Sequence, residues 1–167
     1  EIAGRAGLAL HATVSDYHTS GAWNALGVAA LAARHGKIKT YSIGMEGSPD
    51  LLAARKVSSF LGTDHTEVIF TLSEGLAAIP EVIRAVETCD ITTVRASVPM
   101  YLLCRKIRED GVRVMLSGEG SDELFAGYAY NAFAPDEESL FNECVAKMEY
   151  IHAYDCQRAN KTCGAFG

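Results

Sequence analysis

The 167 residues, 49% of them hydrophobic, suffice for one domain with a buried core. A net charge of −6 with no stripe of Lys or Arg excludes nucleic-acid backbone binding as the main activity. No apolar run reaches the roughly 20 residues of a membrane span and no signal-peptide pattern is visible, so no membrane partner is expected; the cytoplasmic setting expected here rests on the cysteines. Five cysteines, odd in number and without C-x-x-C spacing, read as reduced thiols that serve mostly as small core hydrophobes. The five histidines lack ligand spacing with Cys or Glu, so no structural zinc is expected.

Residues 1–19 are the least readable, although Gly7 to Val14 suits a first strand with poor alternation. Ala22 to Arg34 is alanine-rich with Leu26, Ala29, Ala30 and Ala33 on one side, which predicts a helix stopped by Gly36. Thr40 to Met45 reads as a second strand. Ser48 as N-cap, Pro49 in the first helical position and Asp50 in the first turn predict a helix to Leu61, ended by Gly62. His65 to Ile69 suits a third strand. Thr71 and Glu74 form a capping box opening a helix through Val86, which Pro80 is expected to kink or split. A further helix is expected from Val98 to Glu109, with Pro99 early where it is tolerated, and Gly111 then leads into a fourth strand. Pro135-Asp136-Glu137-Glu138 predicts the start of a last long helix, its acids complementing the helix dipole. Strands alternating with helices imply parallel pairing through right-handed crossovers.

The fourth strand, Val112 to Leu116, runs into Ser117-Gly118-Glu119-Gly120-Ser121-Asp122-Glu123, with three carboxylates in five residues. Its glycines permit positive φ and close approach of a ligand to the backbone. Free N–H groups around Ser117 and Gly118 suit phosphate oxygens. Glu119 and Asp122, three apart, would share a face of an opening helical turn, suited to an ammonium, a guanidinium or phosphate-bound Mg²⁺. The plainer alternative is an N-capped surface turn, because acids favour helix N-termini in any case.

The run from Leu116 to Tyr128 closely resembles the signature of glutamine-dependent asparagine synthetases. Gly47 to Leu51, Asp90 to Ser97, Pro99 to Leu102, and Tyr154 to Cys156 with Arg158 to Lys161 are similar to further family segments. The resemblance runs from about Lys39 to the C-terminus. It implies an α/β three-layer domain with a parallel sheet of the adenine-nucleotide α-hydrolase type, strand order 3-2-1-4, truncated at its C-terminal end. Strands one and four then flank the switch point where a crevice opens. The resemblance also implies an N-terminal glutaminase domain and a longer synthetase region outside this chain, both ends reading as cuts through a longer protein. The assignment covers 1–167 as a partial synthetase domain, with 1–19 matching poorly and 20–167 family-like.

By resemblance, the activity is ATP-dependent, Mg²⁺-assisted amidation of aspartate through a β-aspartyl-adenylate, with ammonia as nitrogen donor. Glu119, Asp122 and Arg95 take the catalytic positions, Asp122 toward the metal. Ser117, Gly118 and Ile43 match nucleotide contacts, Ile43 through backbone and packing. Thr92 and Thr93, with Arg95 and Glu119, match aspartate contacts; Arg95 suits a bidentate carboxylate and the hydroxyls an acyl phosphate. Read singly, Ile43 is core, and Thr92 with Arg95 is an ordinary helix entry. Tyr154, Cys156 and Arg158 are expected to pack or bridge helices.

The family's pyrophosphate loop, Ser-Gly-Gly-x-Asp-Ser, falls on Ser20-Gly21-Ala22-Trp23-Asn24-Ala25. Ser20 and Gly21 agree, but Ala22, Asn24 and Ala25 depart from it. An amide ligates Mg²⁺ less well than a carboxylate, and the Ala22 Cβ crowds the backbone approach. Asp16 to Thr19 is polar where the preceding strand should be apolar. The alternatives are therefore a non-catalytic remnant that binds nucleotide or aspartate, and a related carboxylate-adenylating amide ligase such as a β-lactam-forming synthetase. A homodimer would be built through regions outside this chain.

Overall fold

The computed structural model describes residues 8–13, 20–153 and 155–167, with side chains from residue 27 onward except at 154 and 155. The expectations for residues 1–7 and 14–19, for the side chains of Ser20 to Ala25 and for Tyr154 lie outside the described residues. The described elements are β1 (Leu8–Thr13), α1 (Ser20–Ala33), β2 (Lys39–Gly44), α2 (Pro49–Leu61), β3 (Asp64–Ile69), α3 (Leu72–Val86) and α4 (Ile91–Glu109). There follow β4 (Val114–Ser117), α5 (Ser121–Phe125), a 3-10 turn over Ala129–Phe133, α6 (Glu137–Tyr150), a second 3-10 turn over Ile151–Ala153, and α7 (Asp155–Gly164). The four strands form a small parallel sheet in the expected order, β3-β2-β1-β4. His11 lies opposite Ser117, and Thr13 opposite Ile43, so β1, β2 and β4 end along one edge.

Local chemistry accounts for most boundaries. The Asp50 N–H donates to Ser48 Oγ (3.4 Å), Pro49 opens α2, and Gly62 ends it in the left-handed region at φ 66°. Thr71 and Glu74 form the full capping box, with the Thr71 N–H on Glu74 Oε2 at 2.7 Å. Pro80 does not split α3. It lies on the exposed side, while Gly75, Ala78, Val82 and Val86 are buried, so the bond it removes belongs to a carbonyl facing water.

Three expected boundaries are corrected. α4 begins at Ile91 rather than Val98, because the Asp90 carboxylate caps it, accepting from the Thr93 N–H at 2.8 Å. Pro99 therefore lies in the helix interior, and Thr92, Thr93 and Arg95 are in the opening turns. β4 starts two residues later than expected, since Gly111 at φ 76° turns the chain and Val112 is used as core. The last long helix is broken. α6 has no buried residue, whereas α7 packs on α3 and α4, and the 3-10 turn at Ile151–Ala153 lets the chain change direction between them.

The main core joins Tyr41 and Ile43 of β2 to Ala78, Val82 and Val86 of α3 and Val98, Leu102, Leu103 and Ile107 of α4. A smaller cluster joins Ala29 of α1 to Ile38, with Leu61 of α2 packed against it. The Tyr41 hydroxyl donates to Asp110 Oδ2 (3.1 Å), and burial with that carboxylate pushes its pKa up to about 12. Strand alternation turns Thr40 and Ser42 the other way, where both are buried. They are bridged by His65 of β3, with Nδ1 2.9 Å from Thr40 Oγ1 and Nε2 3.0 Å from Ser42 Oγ. Thr40 also meets Thr63 Oγ1 (2.8 Å), which donates to Ser58 Oγ (2.9 Å). A neutral imidazole offers one donor and one acceptor, which two hydroxyls can satisfy together.

Burial lowers the His65 pKa; Glu67 opposes that shift and Arg55 adds to it. The folded value thus lies below the unfolded one, so His65 contributes stability above roughly pH 6.5 that is lost as pH falls through the folded pKa. The melting temperature is expected to fall by a few degrees from pH 7 to pH 5, measured by circular dichroism. His65→Gln, which keeps a donor and an acceptor without titrating, should flatten that interval.

Candidate active site

The loop after β4 is built by its own short-range bonds. Ser117 Oγ accepts from the Glu119 N–H (3.3 Å), and Ser121 returns both N–H and Oγ to the Gly118 carbonyl (3.2 and 2.7 Å). Gly120 sits at φ 87°, a left-handed conformation that L side chains rarely adopt. A Cβ there would also lie 2.7 Å from Ile151 Cδ1. Because Gly120 turns the backbone, α5 begins only at Ser121. Glu119 is therefore outside the helix, and the expected shared helical face with Asp122 does not form.

The two acids are instead placed by different partners. Glu119 Oε1 accepts from Arg158 Nη2 on α7, and both side chains are largely removed from solvent, at 21% and 16% exposure. Asp122 lies against Gly127. A Cβ at position 127 would come within 2.9 Å of Asp122 Cγ, so glycine is what leaves room for that carboxylate. Glu123 is buried and accepts from the Tyr128 hydroxyl. Tyr128 stacks on Tyr130 with centroids 5.4 Å apart, and Lys147 Nζ lies 4.6 Å from each ring. Arg158 thus joins α7 to the loop after β4 rather than to a neighbouring helix, and one charge in a helix gives no sequence signal for an acid 39 residues earlier.

Ser117 ends β4 beside β1, with Gly118 next to it, on the carboxyl edge of the sheet. Ile43 lies on the same edge, paired with Thr13 and Val68, and its side chain is core at 1% exposure. Ser20 and Gly21 are the first two residues of α1, which packs on β1, β4 and α5. The first part of α4 reaches this edge too. Phe70, just past β3, donates its N–H to the Gly44 carbonyl, and a Cβ on Gly75 would lie 3.2 Å from its ring and 3.6 Å from Val98 Cγ1. Val98 is one turn after Val94, so α4 opens toward the carboxyl ends, with Thr92 and Arg95 exposed and Thr93 half-buried. An open groove of about 400 Å³ lined by Leu124, Phe141, Cys144, Val145, Met148 and Glu149 holds none of these candidates. Among the described residues no three His, Cys, Asp or Glu side chains form a metal-binding group, and no helix is long and apolar enough to cross a membrane.

The asparagine synthase family model matches residues 27–160. A probable glutamine-hydrolyzing asparagine synthetase of Schizosaccharomyces pombe is 55% identical over 131 residues, covering 78% of this chain and 24% of that protein. Asparagine synthetase B of Escherichia coli is 51% identical over 131 residues, covering 78% and 24%, and asparagine synthetase 3 of Arabidopsis thaliana is 48% identical over 151 residues, covering 84% and 26%. The chain spans about a quarter of the length of these curated relatives. The sheet order, the loop after β4 and these matches agree that the chain belongs to the asparagine synthase family.

Proposed function

We propose that this chain supplies the nucleotide- and aspartate-binding edge of a synthetase that uses ATP to activate the side-chain carboxylate of aspartate for amidation. The observation that carries this reading is the Ser117–Glu123 loop at the carboxyl end of β4, beside β1, with Glu119 held by Arg158. A carboxyl edge at a switch in strand order is where parallel α/β sheets bind nucleotides. The two separate core clusters, one with α3 and α4 and one with α1 and α2, support a three-layer arrangement of the adenine-nucleotide α-hydrolase type. A cytoplasmic setting is part of the same reading, as is a nitrogen supply of ammonia from a glutaminase part.

Nucleotide sites hold Mg²⁺ with one or two carboxylates plus substrate phosphates, and Asp122, given room by Gly127, fits that donor set. When bound, the ion neutralises charge on the leaving pyrophosphate. Ser117 and Gly118 hold the nucleotide by backbone and hydroxyl, with the Ile43 backbone beside the base and Ser20 and Gly21 toward the phosphates. Arg95 takes a carboxylate of aspartate bidentately, Thr92 and Thr93 donate hydroxyls to it, and Glu119 accepts from its ammonium. The side-chain carboxylate oxygen then attacks the α-phosphorus as the bond to pyrophosphate breaks. Ammonia attacks the acyl carbon, AMP leaves, and the nitrogen loses a proton. The residues contribute position and fixed charge rather than covalent chemistry.

Calorimetric titration with Mg·ATP tests this reading directly. Binding is expected to tighten at least several-fold when aspartate is present; no heat at millimolar nucleotide, from a chain shown to be folded, overturns it. Glu119→Gln should abolish the aspartate-dependent tightening while leaving nucleotide affinity within about two-fold, since the amide retains an acceptor but not the charge that selects an ammonium. Ala126, the C-cap of α5, is held at φ 56°, a strained conformation for a side-chain-bearing residue. Ala126→Gly should relieve about 1 kcal/mol and raise the melting temperature by roughly 2–4 °C in calorimetry.

A further inference from the structure

Cys104 on α4 and Cys163 on α7 are free thiols whose sulfurs lie 2.8 Å apart, although the residues are 59 positions apart in sequence. Cys104 is 5% exposed and Cys163 is half-buried. The helices are packed along each other, and the contact is reinforced beyond it by Phe166 against Tyr101, ring centroids 4.7 Å apart. Lys161, two residues before Cys163, also ties α7 to the end of α3 through Glu87 Oε2 at 2.5 Å. A pair so close, on elements held together by further contacts on both sides, is placed for bond formation.

The two sulfurs are not equivalent. The hydrogen bond from Cys104 holds the Cys163 thiol below its ordinary range, while that contact and burial push Cys104 up. Cys163, the more accessible of the two, is the one that ionises and attacks; Cys104 resolves.

We propose that Cys104 and Cys163 form an oxidisable dithiol, which hydrogen peroxide converts into a disulfide pinning α7 to α4. The Cys163 thiolate attacks one peroxide oxygen. An S–O bond forms, the O–O bond breaks, and hydroxide leaves, taking up the proton that Cys163 released. The Cys104 sulfur then attacks the Cys163 sulfur; the S–S bond forms, the S–O bond breaks, and water leaves with the Cys104 proton. Two thiols lose two electrons and two protons, and one peroxide becomes two waters. In a reducing compartment such a bond is transient, which suits a sensor rather than a structural staple. Its closed loop contains β4, α5 and α6, and α7 carries the Arg158 that holds Glu119, so oxidation fixes the element on which that contact depends.

The test is controlled oxidation of the chain with stoichiometric hydrogen peroxide, thiol blocking, and mass spectrometry of the intact and unreduced digested protein. The expected result is a loss of about 2 Da, one linked peptide joining the Cys104 and Cys163 segments, and reversal by dithiothreitol. The melting temperature should rise by roughly 5–15 °C on oxidation, as closure of a long loop predicts. Cys163→Ala should give neither the link nor the rise, and Cys144→Ser should give both. A Cys163 that stops at sulfinic acid, or a link to another cysteine, overturns the proposal. So does a Cys104–Cys163 link that leaves the melting temperature unchanged, because α7 would then not be pinned.

Discussion

The insertion of β4 beside β1 is the constraint on which the rest of the structure depends. After β3 the chain stands at the far edge of the sheet, and it must cross β2 and β1 to pair again in parallel. The crossing takes two helices, α3 and α4, and these bury the apolar faces of Tyr41 and Ile43 on the way. The short link from α4 to β4 then fixes which residue ends the strand. With Ser117 opposite His11, the next residues have only the space beyond the carboxyl edge to occupy. The loop's place is thus a consequence of sheet topology before any side chain in it is considered.

Within the loop, glycine and charge divide the work. Gly120 supplies a conformation that other residues rarely adopt, and so delays α5 until Ser121. Gly127 supplies space rather than conformation, because the Asp122 carboxylate lies where its side chain would be. Ala126 between them bears the strain of the return. A site that carries a left-handed alanine and a buried Glu123 needs surrounding structure to hold it, and the Tyr128–Tyr130 stack under Lys147 is that structure. The outer helices α6 and α7 are therefore supports of the loop, through Lys147 on the tyrosine pair and Arg158 on Glu119.

Much of this could be read from the sequence, because the signals were local. Ser48 with Pro49, Thr71 with Glu74, and Gly62 mark boundaries through bonds that close within a turn. Strand order came from the resemblance carried by Leu116 to Tyr128, since periodicity alone cannot say which strands pair. Where local signals compete, the stronger one sets the boundary. Pro99 suggested a helix start, but Asp90 provides a capping carboxylate nine residues earlier and the buried face from Ser97 to Ile107 keeps the helix continuous through the proline. The i, i+3 spacing of Glu119 and Asp122 implied a shared face only if the helix had already begun, and Gly120 prevents that. The contacts of Arg158 with Glu119 and of Cys104 with Cys163 span 39 and 59 residues, and no spacing rule reaches so far.

The Glu119–Arg158 pair explains why a helix so distant in sequence belongs to this site. A carboxylate at the end of a parallel strand, sheltered from water, costs solvation free energy unless a positive group stands against it. An arginine provides that charge with directed N–H donors, so it compensates the acid and fixes its orientation at once. The same pair is costly to break from one side, because the survivor remains sheltered and uncompensated. Loosening α7 therefore acts on Glu119 from outside the loop. What holds α7 is a set of contacts along its length: Lys161 on Glu87, the two thiols, and Phe166 on Tyr101 beyond the helix end. The geometry of the loop is in this sense determined as much by the far end of the chain as by the strand that carries it.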